Sequence, residues 1–210
     1  TVFDAVRAER IALLTAGDNG VLRPVRRLER AVGGRPSASS DFELEPEVFE
    51  LPRLLEDIGR MFALRAEGAG LGFDLGIEQG VARFIEADAG KLRQILINLL
   101  DNAIKFSRRA ERKEIVIGCR LLADGSILFS VRDYGPGIAK NQMKKVFKLF
   151  YRTENELTRE TLGTGIGLAL VQQLTSAMHG TVDVVNTSPG AEFRLLFHPA
   201  DPEIPLDPLC

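Results

Sequence analysis

Three stretches of this 210-residue chain combine residue types and spacings suited to a phosphorylated ligand. The first runs from Lys91 to Phe106, where Leu92, Ile95, Leu96, Leu99, Ala103 and Phe106 recur at helical spacing and define one buried stripe. Asn98, Asn102 and Lys105 stand beside that stripe at i, i+4 and i+7. Asparagine is a poor helix former and costs free energy when buried without partners, so two of them along an apolar border need a reason. Amide oxygens suit a hard cation such as Mg²⁺, which keeps several waters and takes its negative ligands from substrate phosphates. Asn98 and Asn102 are therefore candidate metal ligands, and Lys105 is a candidate partner for a terminal phosphate. In the competing reading, both asparagines cap or bridge neighbouring backbone.

The second stretch is Asp133-Tyr134-Gly135-Pro136-Gly137-Ile138, directly after a strand-like run. Gly135 and Gly137 free the backbone to approach a ligand closely. Adenine offers an exocyclic amine as a donor, so the Asp133 carboxylate can read the base while Ile138 packs on the ring. An ordinary turn is the alternative. The third stretch, Gly163-Thr164-Gly165-Ile166-Gly167-Leu168, opens a helix, where free backbone N–H groups and the helix dipole favour anions. It lacks the last glycine of a dinucleotide fingerprint and the Gly-Lys-Ser/Thr end of a Walker loop. Its alternative is a flexible glycine hinge. Between the second and third stretches, Phe147 and Phe150 suit a hydrophobic anchor. Tyr151 and Arg152 follow, and the polar run Thr153 to Thr161 suits a lid that closes over nucleotide. Arg152 and Arg159 also read as solvated surface charges.

These stretches must be held by a fold, and the pattern around them predicts one. Leu51 to Glu67 reads as a helix, Phe73 to Ile77 and Val81 to Glu86 as short strands, and Asp88 as the cap of the helix that carries the asparagines. Glu114 to Leu122 and Ser126 to Arg132 form a hairpin about Asp124-Gly125. Leu168 to His179 is a helix stopped by Gly180, followed by a second hairpin, Thr181 to Asn186 and Ala191 to Phe197. Hairpins mixed with helices point to an α+β two-layer sandwich, a mixed sheet with helices on one face. Ahead of this, Val2 to Leu14 and Val21 to Val32 have spaced apolar residues among arginines and read as two short helices. The Gly33 to Ser40 run has linker composition, which sets a boundary between residues 1–40 and 41–198. Residues 199–210, with four prolines, read as a flexible tail.

Composition narrows the function classes. A formal charge of −2 supplies no basic field for nucleic acid. Two cysteines, Cys119 and Cys210, suggest neither a disulfide framework nor a thiolate metal site, which fits a reducing, cytoplasmic setting. Apolar runs fall far short of the ~20 residues that span a bilayer, so no membrane contact is expected from this segment.

Taken in order, Asn98 to Phe106, Asp133 to Gly137, Phe147 to Phe150 and Gly163 to Leu168 resemble the N, G1, F and G2 boxes of the histidine-kinase ATPase family. The resemblance covers roughly Asp41 to Phe197 and includes Phe42 to Phe49, which looks like the family's lead-in from its dimerisation domain. It implies a Bergerat-type fold in which Asn102 holds Mg²⁺, Asn98 assists, Lys105 touches phosphate and Asp133 reads adenine of ATP. Gly163, Gly165 and Gly167 would form the lid hinge and phosphate contact. Gyrase-like relatives place a glutamate base where Asn98 stands, so the chain looks like a phosphoryl donor to a protein. The implied partners are ATP, a domain bearing a phosphoacceptor histidine, and a response regulator; the full-length protein of such a family can form a homodimer.

The departure is the acceptor. The two histidines, His179 and His198, follow the N and G1 boxes, and neither sits in a phosphoacceptor pattern. Arg23 to Val32 reads as a remnant of the second helix of the acceptor hairpin. A nucleotide-sensing regulator without transfer activity is the runner-up. A serine kinase of the anti-sigma type ranks last, because Asn98 stands where those enzymes usually carry glutamate.

Overall fold

A computed structural model describes residues 11–16, 22–28, 43–149 and 165–198; for the first two segments only the backbone is described. The elements are β1 Ile11–Ala16, β2 Leu22–Leu28, β3 Glu47–Glu50, α1 Leu51–Gly68, β4 Gly72–Ile77, β5 Phe84–Ala87 and α2 Ala89–Ser107. β6 Glu114–Leu121, β7 Ile127–Asp133, α3 Gly167–Ala177, β8 Thr181–Asn186 and β9 Ala191–Phe197 complete them.

Five strands form the main sheet in the order β4-β6-β7-β9-β8. β4 runs parallel to β6, and every other neighbour pair is antiparallel. One face of this sheet is apolar by simple alternation: Ile115, Ile117 and Cys119 from β6, Ile127, Phe129 and Val131 from β7, and Phe193, Leu195 and Phe197 from β9 are all buried. The three helices cover that face. α1 contributes Leu51, Leu54, Leu55, Ile58, Phe62 and Ala66, and α2 contributes Leu92, Ile95, Leu96, Leu99, Leu100, Ala103 and Ile104. Phe129 and Phe197 meet edge to face, with ring centroids 5.9 Å apart. Burying one such ring is worth about 1.5–3 kcal/mol.

The expected two-layer α+β sandwich is therefore present, and so are both expected hairpins. Asp88 caps α2, its side chain accepting from the Lys91 amide at 2.7 Å. It also accepts from the Glu45 amide at 3.1 Å, which ties the lead-in segment to the helix that bears the asparagines. Three local expectations shift. The strand expected over Val81 to Glu86 begins only at Phe84, because Val81 closes a turn onto Glu78. On α2, Ser107 is buried while Phe106 is only half-buried. α3, expected to run to His179, ends at Ala177, and His179 takes the left-handed conformation at φ 56°. Gly180 is required for another reason: a Cβ there would lie 2.5 Å from the Phe197 ring.

The larger correction concerns the leading segment. Ile11–Ala16 and Leu22–Leu28, expected to be helical, are antiparallel strands with a register irregularity between Leu13 and Leu14. β1 also pairs with β5, giving a second sheet in the order β2-β1-β5-β3. Neither a helical segment nor a remnant of a helical hairpin describes Leu22–Leu28. The physical reason is that arginine-spaced apolar residues satisfy a period of two as well as 3.6, while Asn19-Gly20 between the runs is a hairpin signal. Backbone pairing with β5 decides between the two. The rest of the two expected helices, the linker 33–40 and the tail 199–210 lie outside the described residues.

Candidate functional site

The α2 helix presents Asn98, Asn102 and Lys105 along the edge of its buried stripe, all three half-buried. The start of α3 comes down onto them. A Cβ on Gly167 would sit 3.0 Å from Asn98 Oδ1 and 3.9 Å from Asn102 Nδ2, so glycine is what lets the two helices meet here. Asn98 Nδ2 donates to the Gln94 carbonyl of its own helix at 2.8 Å, which turns the amide oxygen toward the α3 terminus. The backbone-bridging reading holds for the Nδ2 end of Asn98, while its Oδ1 faces the start of α3. Ile166 precedes the helix without a side-chain cap, and Gly165 has φ +71°. An uncapped helix N-terminus leaves amides for an anion.

The Asp133 loop reaches the same region from the sheet. A Cβ on Gly135 would lie 2.7 Å from the Phe106 carbonyl oxygen, so this loop rests on the last turn of α2. Asp133 is 5% exposed, and its Oδ1 accepts from the Gly135 amide at 2.9 Å. Burial raises the carboxyl above the ordinary aspartate range, opposed in turn by the Gly135 and Ala191 amides and by Arg132. Tyr134 is buried, with the guanidinium groups of Arg112 and Arg132 3.9 and 4.6 Å from its ring centroid. Ile138 and Leu168 are half-buried and pack on the core, whereas Ile166 is exposed. Phe147 anchors the segment after this loop by an edge-to-face contact with Phe193 at 6.2 Å.

Sequence reasoning thus located Asn98, Asn102, Lys105, Asp133, Gly135, Gly137, Ile138, Gly165, Ile166, Gly167 and Leu168 on elements that converge. Phe150, Tyr151, Arg152, Thr153 to Thr161, Gly163 and Thr164 lie outside the described residues. It missed Asn186 and Gly190. Asn186 Oδ1 accepts from the Ile138 amide at 2.8 Å and its Nδ2 donates to the Ile138 carbonyl at 2.6 Å. Both histidines are engaged in the fold, His179 in the turn after α3 and His198 through Nδ1 with Ser126 Oγ at 3.0 Å.

A mixed sheet under three helices, with an amide-bearing helix, a buried aspartate loop and a glycine-opened helix meeting on one side, defines a nucleotide-binding ATPase domain. Residues 87–201, more than half of the chain, match the family model described as histidine kinase-, DNA gyrase B- and HSP90-like ATPase, and the chain belongs to that family. It is 38% identical over 148 residues to the non-motile and phage-resistance protein of Caulobacter vibrioides, covering 70% of this chain and 17% of that protein. Full-length ShkA in complex with AMPPNP superimposes with a TM-score of 0.66 at 30% identity, covering 77% of this chain and 33% of that one. Histidine kinase ThkA in complex with the response regulator TrrA superimposes with a TM-score of 0.61 at 25% identity, covering 76% of this chain and 43% of that one. The domain is of the ATP-binding catalytic type found in sensor histidine kinases, and the chain spans about a sixth of the length of its curated relative from Caulobacter.

Proposed function

We propose that this chain binds Mg-ATP and donates the γ-phosphoryl to a histidine on a separate helical domain, from which a response regulator would take it. The observation that carries this reading is the meeting of Gly167 with Asn98 and of Gly135 with Phe106, which gathers three elements around one site. Asp133 reads the adenine amine. In this reading Gly163, Gly165 and Gly167 hinge the lid and offer amides to phosphate, and Lys105, Tyr151 and Arg152 contact the nucleotide.

Asn102, assisted by Asn98, fits Mg²⁺ of a particular kind. Among the described residues no group of three or more His, Cys, Asp or Glu could hold a metal alone. Neutral amide oxygens suit a cation that arrives already bound to phosphates. When bound, Mg²⁺ neutralises charge on the phosphate oxygens. The remaining work of these residues is positioning: Asp133 fixes the base, the α3 terminus holds the phosphates, and the asparagines offer oxygens without adding negative charge.

The acceptor belongs to another segment. His179 holds a left-handed turn and His198 bonds Ser126, so both support the fold. ThkA, captured with the response regulator TrrA, supports the same class of partner here. A homodimer formed through the acceptor domain and a cytoplasmic setting complete the reading; no helix among the described residues is long and apolar enough to cross a membrane.

Calorimetric titration with a non-hydrolysable ATP analogue, with and without Mg²⁺, tests this. Asn102→Ala and Asp133→Ala both weaken binding, and labelled γ-phosphate appears on an added histidine-bearing helical domain but not on this chain alone. Binding without transfer to any such domain leaves the regulator reading in its place. No binding by a folded chain refutes both.

A further inference from the structure

The Asp133 loop is clasped from outside the four motifs. Asn186 closes the last position of β8 and is exposed, yet both ends of its amide are committed to one residue, Ile138. Those two bonds satisfy the backbone amide and carbonyl of Ile138 together, in the manner of a base pair. Exposed amides are satisfied by water at no cost, so a doubly matched pair across 48 residues of sequence sets the position of the loop rather than rescuing a buried group.

The same turn holds the other end of the loop. Gly190 has φ +98°, and a Cβ there would fall onto the Asp133 carbonyl oxygen and within 2.7 Å of Tyr134 Cα. Ala191 pairs with Asp133 in the sheet, and its amide lowers the carboxyl pKa against the effect of burial. Gly137, at φ +72°, would place a Cβ 3.0 Å from Asn186 Oδ1 and 3.2 Å from the Gly190 carbonyl oxygen. The turn is itself tied, with the Thr187 amide donating to the Gly190 carbonyl at 2.9 Å and Thr187 Oγ1 to the Pro189 carbonyl at 2.8 Å. Residues 186–191 therefore grip residues 133–138 at both ends, and the base-reading carboxylate belongs to the residue held at the first of them.

We propose that Asn186 is a positioning residue for base recognition, and that the turn between β8 and β9 is the brace that sets adenine selectivity. The inference rests on Asp133 reading adenine. Asn186 touches no nucleotide; it acts by holding Ile138, and through it the span back to Asp133, at one distance from the sheet.

The test uses the full chain, ATP and GTP analogues that resist hydrolysis, and Mg²⁺, with a thermal melt confirming that each variant is folded at the assay temperature. Asn186→Ala removes both bonds and weakens the ATP analogue about ten-fold, while the weaker GTP analogue is unchanged. Asn186→Asp keeps the acceptor for the Ile138 amide but sets a carboxylate oxygen against its carbonyl, and it loses selectivity in the same direction. On an Asp133→Ala background Asn186→Ala has no further effect, because the group it positions is gone. Equal losses for both nucleotides, additive losses in the double variant, or unaltered ATP-analogue binding by both Asn186 variants overturns the proposal. A wild-type chain that binds no ATP analogue removes the nucleotide site itself; a wild-type chain that binds beside Asn186 variants that bind equally well removes only the brace.

Discussion

Replacing Asp88 by alanine isolates how the helix carrying the asparagines is anchored. The Asp88 carboxylate is 6% exposed and accepts from two backbone amides, Lys91 at 2.7 Å and Glu45 at 3.1 Å, with Lys91 Nζ 3.7 Å away. Losing an N-cap costs about 1 kcal/mol, and losing a second bond to a charged acceptor about 1.5–3 kcal/mol. The lysine lies on a partly open surface and adds little. Together Asp88→Ala costs about 3 kcal/mol. For a domain of this size that is a fall of about 6–12 °C in Tm. Asp88→Asn keeps one acceptor oxygen and falls about half as far. Thermal melts followed by circular dichroism measure this, and an ATP-analogue isotherm at low temperature stays within about two-fold of wild type, since Asp88 is not in the site. A fall of less than about 2 °C for Asp88→Ala would mean that water replaces both bonds and that the cap does not anchor α2.

Three further outcomes follow from the same geometry. Burial raises the Asp133 carboxyl, and an amine donor needs its ionised form, so nucleotide affinity is lost as pH falls through a midpoint above the ordinary aspartate value. Stability runs the other way: the contribution of a raised folded-state pKa is fully present below the unfolded value and is lost as pH rises through the folded midpoint, so Asp133→Asn removes a pH dependence from both curves, and wild-type binding that titrates no higher than an ordinary aspartate contradicts this. Gly180→Ala drives a Cβ to 2.5 Å from the fully buried Phe197 ring, and denaturant unfolding should show a loss of about 1–3 kcal/mol. Burial pushes the Cys119 thiol up to about 12, so in a Cys210→Ser background alkylation near pH 8 is slow in the native chain and fast once urea unfolds it.

What could be read from the sequence was local. The Asp88 cap, the Asp124-Gly125 hairpin and the two strands around Ser188-Pro189-Gly190 each announce themselves within a few residues, and each stands where expected. The segment around Ile11 and Leu22 misled because its apolar spacing fits two periods, and the deciding partner, β5, lies more than fifty residues onward. The helix expected to run to His179 ends at Ala177, with His179 in the left-handed conformation and Gly180 set against the Phe197 ring. In the candidate site, residue types found the α2 asparagines and Asp133, but not Asn186 or Gly190. Nothing near those two positions in sequence mentions the Asp133 loop; only the register that sets Asp133 opposite Ala191 brings them to it.

The parallel pairing of β4 with β6 has a kinetic and protective side. Everything between Ile77 and Glu114, including α2 and β5, lies inside the loop that this pairing closes. The closure entropy falls due before the pair yields its hydrogen bonds, which places β4 among the later elements to form and the first to loosen. A ligand that holds α2 against α3 lowers the population of that opened loop without touching β4. Backbone amides of β4, a strand that carries none of the candidate site residues, should therefore exchange with solvent more slowly once the site is filled, making an edge strand a reporter of nucleotide binding.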